Sequence, residues 1–383
     1  MLKNKKHIYL IAGEASGDFL GAQLMKALKQ KTPDITFSGV GGPLMQAEGL
    51  NSLFEMQELS VMGIWEVLPR LRLILKRIKQ TIQNIIDLKP DLVVTIDAPD
   101  FSFRVMKGVR HIYKTSPDIA PKLVHYVAPT VWAWRPKRAI KIAEFLDALI
   151  CLFKFEPPYF DAVGLRSIAV GHPMMESGLL EATPALIGEG KAKNLGVFLG
   201  SRRGELKRTA PVIIKAIKKI KEQHPDIELI VPTLPHLKSQ VEELIIPLDI
   251  PCCISTDRQD KWGLFKACDV AIAVSGTVGL ELAACNVPHV IAYKMNPLTA
   301  FFVRRMVKTN FAHLANIILR REVVPEFIQE NCTADNISEK IMGLLENDFL
   351  RHAQQNAFET VRENIGGETP PSEKAADYLL NMI

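Results

Sequence analysis

The sequence predicts an α/β protein with two Rossmann-like domains, each built on a doubly wound parallel sheet. Short apolar runs rich in Val and Ile alternate with longer helical patterns, which is typical of parallel strands joined by helical crossovers. The alternation stops after residue 173 and restarts at residue 195, so it occurs twice in tandem. We expect the two domains to face each other across a cleft.

The first series of apolar runs predicts five strands. The run Leu92-Val93-Val94-Thr95-Ile96 is nearly all apolar, as expected of a parallel strand that is buried on both faces. The predicted strands cover residues 7–12, 92–96, 123–127, 148–153 and 167–170, and predicted helices include 20–30 and 71–88. These elements define an N-terminal domain at residues 1–173.

The second series follows a segment, residues 174–194, that shows no sustained strand pattern and is interpreted as an interdomain connection. Predicted strands then cover residues 195–199, 227–231, 252–255, 270–274 and 289–292, with helices at 208–223, 237–248 and 278–285. They define a C-terminal domain at residues 195–347. The helical pattern of residues 348–383 predicts terminal helices that pack back on the first domain.

The composition excludes several classes of protein. Hydrophobic residues make up 48% of the 383 positions, as in a folded globular chain, and a net charge of +5 is too small for dedicated nucleic-acid binding. The six cysteines form no CxxC pair, and Cys252 and Cys253 fall in a strand expected to be buried, so neither zinc nor disulfides are predicted. Because no apolar run suits a membrane span or a signal peptide, we expect a cytosolic protein.

Ligands of open parallel sheets bind at the carboxyl ends of strands, so the residues after each strand are the candidates. After the first strand come Gly13, Glu14, Ser16 and Asp18, whose glycine allows close approach and whose acids suit sugar hydroxyls better than phosphate. The alternative is a plain strand–helix turn in which Ser16 or Asp18 caps the helix.

Two further acids, Asp97 and Asp100, follow the predicted strand 92–96. A carboxylate at the end of a buried strand loses hydration, which raises its pKa toward that of a working base. Asp97 is the better placed of the two. The alternative is that one of them caps the next helix.

The second domain carries two loops suited to a diphosphate. Gly200 and Ser201 offer backbone donors, and Arg202 offers a fork for phosphate oxygens. A second set of small residues opens a helix after strand 270–274, where free amides and the helix dipole favour an anion: Ser275, Gly276 and Thr277.

Glu281 lies one helical turn beyond Thr277 on the same face of the predicted helix. A carboxylate there can accept both hydroxyl groups of a ribose. The alternative is a solvated helix residue, although the helix around Glu281 is mostly apolar.

Trp132 and Trp134 lie in a loop after the predicted strand 123–127. Aromatic side chains on loops often shape apolar or sugar sites. The alternative is a packed loop between the domains.

One helix combines an apolar stripe with a basic face. Ile and Leu recur in steps of four and three at positions 64, 68, 71, 75, 78, 82 and 85, which predicts a core-facing stripe. The opposite face carries Arg72 and Lys76, with Trp65 and Leu73 among the basic residues, and this mixture predicts docking on an anionic bilayer. The apolar–basic stretch 301–308 favours the same interpretation, and the alternative is a solvated basic face.

The chain resembles the lipid-A-disaccharide synthase family in a series of motifs that runs in order along nearly its whole length. In the first half these motifs are Ala12-Gly13-Glu14-Ala15-Ser16-Gly17-Asp18, Gly39-Val40-Gly41-Gly42-Pro43, Val61-Met62-Gly63-Ile64, Ile96-Asp97-Ala98-Pro99-Asp100-Phe101 and Val131-Trp132-Ala133-Trp134-Arg135. In the second half they are Gly200-Ser201-Arg202, Ser275-Gly276-Thr277, Lys308-Thr309 and Asn316.

The resemblance implies the GT-B fold, with an N-terminal acceptor domain and a C-terminal nucleotide-sugar domain. It implies inverting transfer from UDP-2,3-diacylglucosamine to 2,3-diacylglucosamine 1-phosphate, which releases UDP and gives the β-1,6-linked lipid A precursor. It implies no metal and no cofactor, and a cytoplasmic protein held peripherally on the inner face of the inner membrane. The sequence leaves the oligomeric state open, a homodimer included.

The resemblance also implies residue roles. Asp97 is expected to take the proton of the acceptor's 6-hydroxyl, and Glu14 to orient the acceptor or share the role of base. The acceptor site is expected to include Gly13, Ser16, Asp18, Asp100, Trp132 and Trp134. The nucleotide-sugar site is expected to include Gly200, Ser201, Arg202, Ser275, Gly276, Thr277, Glu281 and Asn316.

The sequence departs from the family pattern at three places. Ala315 stands where the family has proline, and Phe198-Leu199 stands where it usually has Leu-Pro. Arg203 adds a second positive charge beside Arg202, so either arginine could carry the diphosphate role.

Two other functions fit the same pattern. One is another UDP-sugar enzyme of this fold, a UDP-N-acetylglucosamine epimerase or a peptidoglycan-type transferase, although these lack the Gly-Glu-Ala-Ser-Gly-Asp opening. The other is a non-catalytic module that binds sugar nucleotides or lipids and needs no base.

Overall fold

The computed structural model describes residues 5–59, 64–187, 192–257, 260–296, 300, 305–306 and 309–383, and of residues 64–70 and 118 it describes the backbone alone. The chain divides into two compact units, one of Met1–Pro173 with Ile365–Ile383 and the other of Met174–Asn364. Residues 174–194 and 348–364 therefore belong to the second unit.

The sheet of the first unit has six parallel strands in the order β2-β1-β3-β4-β5-β6. They are β1 (His7–Ala12), β2 (Thr36–Val40), β3 (Leu92–Ile96), β4 (Lys122–Tyr126), β5 (Ala148–Cys151) and β6 (Arg166–Ala169). Every residue of β3 is buried, as predicted for a strand covered on both faces. Because β2 and β3 flank β1 on opposite sides, the loops after β1 and β3 diverge and open a crevice.

Helices on this unit connect the strands. They are α1 (Ala15–Lys31), α2 (Pro43–Ala47), α3 (Ile64–Leu88), α4 (Pro99–Ile112), α5 (Arg138–Ala143) and α6 (Pro157–Asp161). Pro99 occupies the first position of α4, where the missing N–H costs nothing. The helix therefore begins immediately after the acid-bearing turn that follows β3.

The second unit repeats this plan with the strand order β12-β11-β10-β7-β8-β9, all parallel. Its strands are β7 (Asn194–Phe198), β8 (Glu228–Pro232), β9 (Cys252–Ser255), β10 (Val270–Ala273), β11 (His289–Tyr293) and β12 (Glu326–Ile328). Here β8 and β10 flank β7 on opposite sides, so the second crevice opens after β7 and β10.

The helices of the second unit are α7 (Arg203–Gln223), α8 (Lys238–Ile245), α9 (Lys261–Lys266), α10 (Thr277–Ala284), α11 (Leu314–Leu319), α12 (Ala334–Glu346) and α13 (Asp348–Ile365). The last helix, α14 (Pro371–Leu380), belongs to the first unit. It packs on α1, where Lys31 and Asp377 form an ion pair of 2.8 Å.

The predicted α/β architecture is confirmed, with two corrections. The short strands β2 and β12 were not predicted, because neither shows a long apolar run. The strand at Cys252 and Cys253 has the predicted bounds but is not buried: Cys252 is exposed and Cys253 half-buried, because β9 lies at the edge of its sheet.

The predicted core stripe of α3 is wrong at Leu71 and Leu75, and the side chains of Ile64 and Leu68 lie outside the described residues. Ile78 and Ile85 are buried, whereas Leu71 and Leu75 are 39% and 43% exposed. The reason is length: α3 has 25 residues and its neighbour α4 has 14. At 1.5 Å per residue these helices are roughly 38 Å and 21 Å long, so α4 covers only part of α3. None of the helices among the described residues is long and apolar enough to span a bilayer.

Candidate active site

Two acids of the first unit, Glu14 and Asp97, lie at the crevice after β1 and β3. Asp97 follows β3 directly, and both Asp97 and Ala98 adopt left-handed backbone conformations, with φ of 54° and 44°. Such conformations cost about 1–2 kcal/mol per non-glycine residue, and strain of this kind is often found at functional sites. A Cβ atom at Gly13 would lie 2.6 Å from the Cβ of Ala98, so the close approach of the two loops requires glycine.

The carboxylate of Asp97 is held from both sides. Its Oδ1 accepts a hydrogen bond from the Ala98 amide at 2.8 Å, and its Oδ2 accepts one from the Ser16 hydroxyl at 3.5 Å. Glu14 is an exposed residue, yet partial burial raises the pKa of its carboxyl group, and the negative charge of Asp97 raises it further. The negative charge of Asp97 therefore acts on the carboxyl group of Glu14.

The other acids predicted near this crevice differ in their surroundings. Asp100 is exposed in the first turn of α4, where a negative charge is favourable. Asp18 is buried, and its two oxygens accept hydrogen bonds of 2.9–3.0 Å from three backbone amides at the start of α2: Gly42, Leu44 and Met45. Because its carboxylate already caps a neighbouring helix, Asp18 is left out of the acceptor site proposed below.

The predicted tryptophan loop follows β4, next to the acids. The amide of Asp97 donates to the carbonyl of Tyr126, the last residue of β4, at 2.9 Å. Trp132 donates its indole N–H to Glu156, and the ring of Trp134 lies 4.3 Å from the guanidinium carbon of Arg135. Both indole rings are partly exposed, so they form a surface of this loop.

The crevice of the second unit holds a cavity of about 640 Å³ at the carboxyl ends of β7, β8, β9 and β10. Seven of the eight residues predicted to bind the nucleotide sugar line it: Gly200, Ser201, Arg202, Ser275, Gly276, Thr277 and Glu281. Gly276 has φ of 152°, which a side chain disfavours, and it precedes the first turn of α10. Free amides of that turn can therefore face an anion.

Four of the charged groups that line this cavity form two pairs. The Lys261 ammonium lies 2.7 Å from Oε1 of Glu281. Arg202 has a side chain that is 78% exposed and lies 3.6 Å from Glu205, which also accepts the Ser201 amide at 3.0 Å. Two cations thus line a space whose walls also offer backbone amides.

Asn316, the last of the predicted donor residues, does not line this cavity. Its side chain is fully buried and accepts from the amides of Val323 and Val324 at 2.8 and 2.9 Å. Its own amide group donates to the Val324 carbonyl and to Glu326. Asn316 therefore fixes the turn before β12, a role that a motif match alone could not distinguish from ligand binding.

Several residues of the cavity were not predicted. Thr233, Thr256 and Asp257 line it after β8 and β9, and the rule that ligands meet strand ends could have found them. Lys261 lies at the start of α9, where no local pattern marks it. Of the predicted membrane contacts, Arg72 and Lys76 are exposed, Leu73 is half-buried, and the side chain of Trp65 lies outside the described residues. The motif 61–64 and the stretch 301–308 also lie largely outside them.

Comparisons with known proteins agree on family and fold. A family model described as lipid-A-disaccharide synthetase matches residues 8–378. The lipid-A-disaccharide synthase of Rhodospirillum centenum is 42% identical over 389 residues, covering 98% of this chain and 94% of that protein. That of Ruegeria pomeroyi is also 42% identical, over 394 residues, covering 98% and 95%.

Among solved structures, Staphylococcus aureus MnaA with UDP matches with a TM-score of 0.66 at 16% identity, covering 99% of this chain and 98% of that chain. Acinetobacter baumannii MurG matches with a TM-score of 0.60 at 14% identity, covering 98% and 99%. The fold and the family match define a glycosyltransferase with the GT-B fold. The chain belongs to the lipid-A-disaccharide synthase family.

Proposed function

We propose that this enzyme transfers 2,3-diacylglucosamine from its UDP donor to the 6-hydroxyl of 2,3-diacylglucosamine 1-phosphate. The products are the β-1,6-linked disaccharide 1-phosphate and UDP. Family membership supports the reaction. The observation that carries the assignment to residues is the cavity of the second unit, which brings together seven of the eight residues predicted to bind the nucleotide sugar.

Donor binding is assigned to this cavity. The amides of Gly276 and Thr277 and the side chain of Arg202 would hold the diphosphate, and Glu281 would accept the ribose hydroxyls. Lys261 adds a second cation to the cavity lining, where its ammonium lies 2.7 Å from Oε1 of Glu281. Cations and amides there would stabilise the negative charge that develops on UDP as it departs.

Proton removal is assigned to Asp97. As the acceptor O6 forms its bond to the anomeric carbon, the bond from that carbon to the UDP oxygen breaks and the O6 proton passes to the Asp97 carboxylate. Attack from the face opposite UDP inverts the anomeric centre from α to β. The hydrogen bonds from Ala98 and Ser16 hold Asp97 in place, and Glu14 would orient the acceptor.

Acceptor binding is assigned to the loops around these acids, with Gly13, Ser16, Asp100, Trp132 and Trp134. The partly exposed indole rings offer apolar surface to a substrate that carries acyl chains. We assign the acceptor to residues 1–173 and the donor to residues 195–347.

Peripheral binding to the inner face of the inner membrane is assigned to the first half of α3. Leu71 and Leu75 are exposed there, and Arg72 and Lys76 beside them are also exposed. Apolar side chains among cations suit an anionic lipid surface, which is also where diacylated substrates reside.

The function is tested with purified full-length protein, both diacylated substrates and separation of disaccharide from UDP. We expect disaccharide and UDP in equal amounts from the wild type. Asp97→Asn should lower kcat about 10²–10⁴-fold because general-base catalysis is lost. Its affinity for UDP, measured by calorimetry, should not change.

Asp100→Asn, the neighbouring acid of the same turn, serves as the matched variant and should lose far less. Turnover of Asp97→Asn equal to wild type would refute the assignment of the base. Conversion of UDP-N-acetylglucosamine without an acceptor would favour an epimerase, and no wild-type turnover on any of these substrates would favour a binding module.

A further inference from the structure

A buried acid, Glu156, lies in the first unit and takes no part in the chemistry described above. It follows β5, three strands along the sheet from the position of Glu14, and its residue surface is only 2% exposed. Burying a carboxylate is costly unless hydrogen bonds compensate it. A buried acid near the carboxyl ends of the strands, where ligands of such sheets bind, therefore calls for an explanation.

Three N–H groups compensate this carboxylate. The amides of Leu152 and Phe153 donate to Oε2 at 3.1 and 3.0 Å, and the indole N–H of Trp132 donates to Oε1 at 3.2 Å. None of the three donors carries a charge, and burial raises the pKa of Glu156 to about 7. The carboxylate thus joins two loops, the one after β4 and the one after β5.

The same two loops meet through their aromatic rings. Trp132 packs edge-on against Phe155 with ring centres 5.2 Å apart, and Phe155 stacks on Phe153 at 5.5 Å. The backbone amide of Phe153 and the indole N–H of Trp132 both donate to Glu156. The acid therefore holds the backbone of Phe153 and the ring edge of Trp132 in place. We call Trp132, Phe153 and Phe155 the aromatic wall.

The aromatic wall begins beside the proposed base. The loop that carries Trp132 starts after Tyr126, and the carbonyl of Tyr126 accepts the amide of Asp97. The Val127 amide donates to the carbonyl of Ile150 in β5 at 3.0 Å, so both loops leave the same edge of the sheet.

We propose that Glu156 is a positioning residue for acceptor binding, whose carboxylate holds Trp132 in the orientation that contacts the acceptor. This inference rests on the proposed function, in which the Trp132 loop binds that substrate. Only a carboxylate of this length accepts at both oxygens. A glutamine would satisfy one side and turn its NH₂ group, a donor, toward another donor on the other side.

The test begins with Glu156→Gln, assayed with both substrates varied separately. Loss of one charge-assisted hydrogen bond should raise the acceptor KM about tenfold. The donor KM and the affinity for UDP should stay unchanged, because the donor cavity lies in the second unit. A merely structural defect would instead lower the active fraction and leave the acceptor KM unchanged.

Trp132→Phe removes the indole N–H while Glu156 keeps its two backbone donors, so this variant tests the proposal even if Glu156→Gln folds poorly. Trp132→Phe should raise the acceptor KM by a similar factor. In the double variant the acceptor KM should equal that of Trp132→Phe alone, since Glu156 acts through Trp132.

Asp147→Asn is the matched control. Asp147 also joins a backbone amide to a side-chain donor, Leu123 N at 2.7 Å and Arg110 at 2.6 Å. It precedes β5, however, and so lies at the amino ends of the strands, away from the loops that follow them. Its acceptor KM should equal that of the wild type. An unchanged acceptor KM in Glu156→Gln, or multiplied effects in the double variant, would overturn the proposal. Absence of disaccharide formation by the wild type would instead overturn the proposed function.

Discussion

Arg77 and Glu58 form a two-point ion pair in the first unit. Nε of Arg77 donates to Oε2 of Glu58 at 2.8 Å, and Nη2 donates to Oε1 at 2.7 Å. The guanidinium carbon also lies 4.7 Å from the ring centre of Phe54, which meets the ring of Phe101 edge-on at 6.5 Å. Since Phe101 lies in the first turn of α4, the contact chain links the amphipathic helix α3 to the acid-bearing turn.

Replacing Arg77 by lysine should destabilise the enzyme although the charge is kept. A lysine cannot reproduce the planar fork or the stacking on Phe54, so the free energy of unfolding should fall by about 1 kcal/mol. Denaturant unfolding followed by circular dichroism measures it. Lys79→Ala, at an exposed position of the same helix, should leave the transition midpoint in place. Equal midpoints for Arg77→Lys and wild type would contradict the expectation.

Lys261→Met should weaken UDP binding by roughly tenfold or more, because the charge-assisted contact proposed between its ammonium and the diphosphate is lost. Isothermal calorimetry with UDP alone gives the dissociation constant. Lys266→Met, on the same short helix, removes hydrogen bonds to the carbonyls of Leu180 and Ala182 outside the cavity. Lys266→Met should change stability rather than UDP affinity, and comparable losses of affinity in both variants would count against a direct role for Lys261.

The double substitution Leu71→Ser and Leu75→Ser should weaken binding to vesicles that contain phosphatidylglycerol by roughly tenfold or more, as two apolar side chains no longer enter the lipid. Co-sedimentation measures the bound fraction. Leu88→Ser is the control, because Leu88 is 42% exposed at the other end of α3. Loss of binding in Leu88→Ser alone would place the lipid contact elsewhere.

Stability should fall as the pH is lowered from 7 to 5. Burial lowers the pKa of His125 to about 3 and those of His172 and His289 to about 4. Below the ordinary histidine pKa of 6.5 the unfolded chain therefore binds more protons than the native one, and each of these residues costs about 2 kcal/mol by pH 5.

Glu156 acts in the opposite direction. Its pKa is raised to about 7, so the native state binds the extra proton and gains about 2 kcal/mol over the same range. The three histidines outweigh this gain, and the net loss should be a few kcal/mol. Chemical denaturation at pH 7, 6 and 5 measures the change, and a constant free energy of unfolding would contradict it.

The sequence predicted most of the fold because its strands are buried on both faces. Strands such as β1 and β3 have their predicted bounds, since an apolar run is the direct consequence of that burial. The strands β2 and β12 were not predicted because each contains few apolar residues. Each is an edge strand that pairs with one neighbouring strand, and an edge strand needs fewer apolar residues than a central one.

The candidate site was predictable where a residue follows a strand and not where a side chain turns inward. Asp97 and Gly276 follow the simple rule of strand ends. Asp18 and Asn316 belong to other motifs of the same family series, but their side chains are buried and bind backbone groups. A sequence pattern does not show which way a polar side chain points. It also gives no local signal for Glu156 as the hydrogen-bond partner of Trp132, because the two residues are 24 positions apart.

The return of α14 to the first unit has a consequence for biosynthesis. Ala375, Ala376 and Leu379 are buried there, and His172 donates its amide to the carbonyl of Ile365 at 2.6 Å. A ribosome delivers residues in order, so the surface of α1 that α14 covers stays uncovered while the 339 residues between the two helices, 32–370, are translated. We expect the half that is made first to be the half that is finished last.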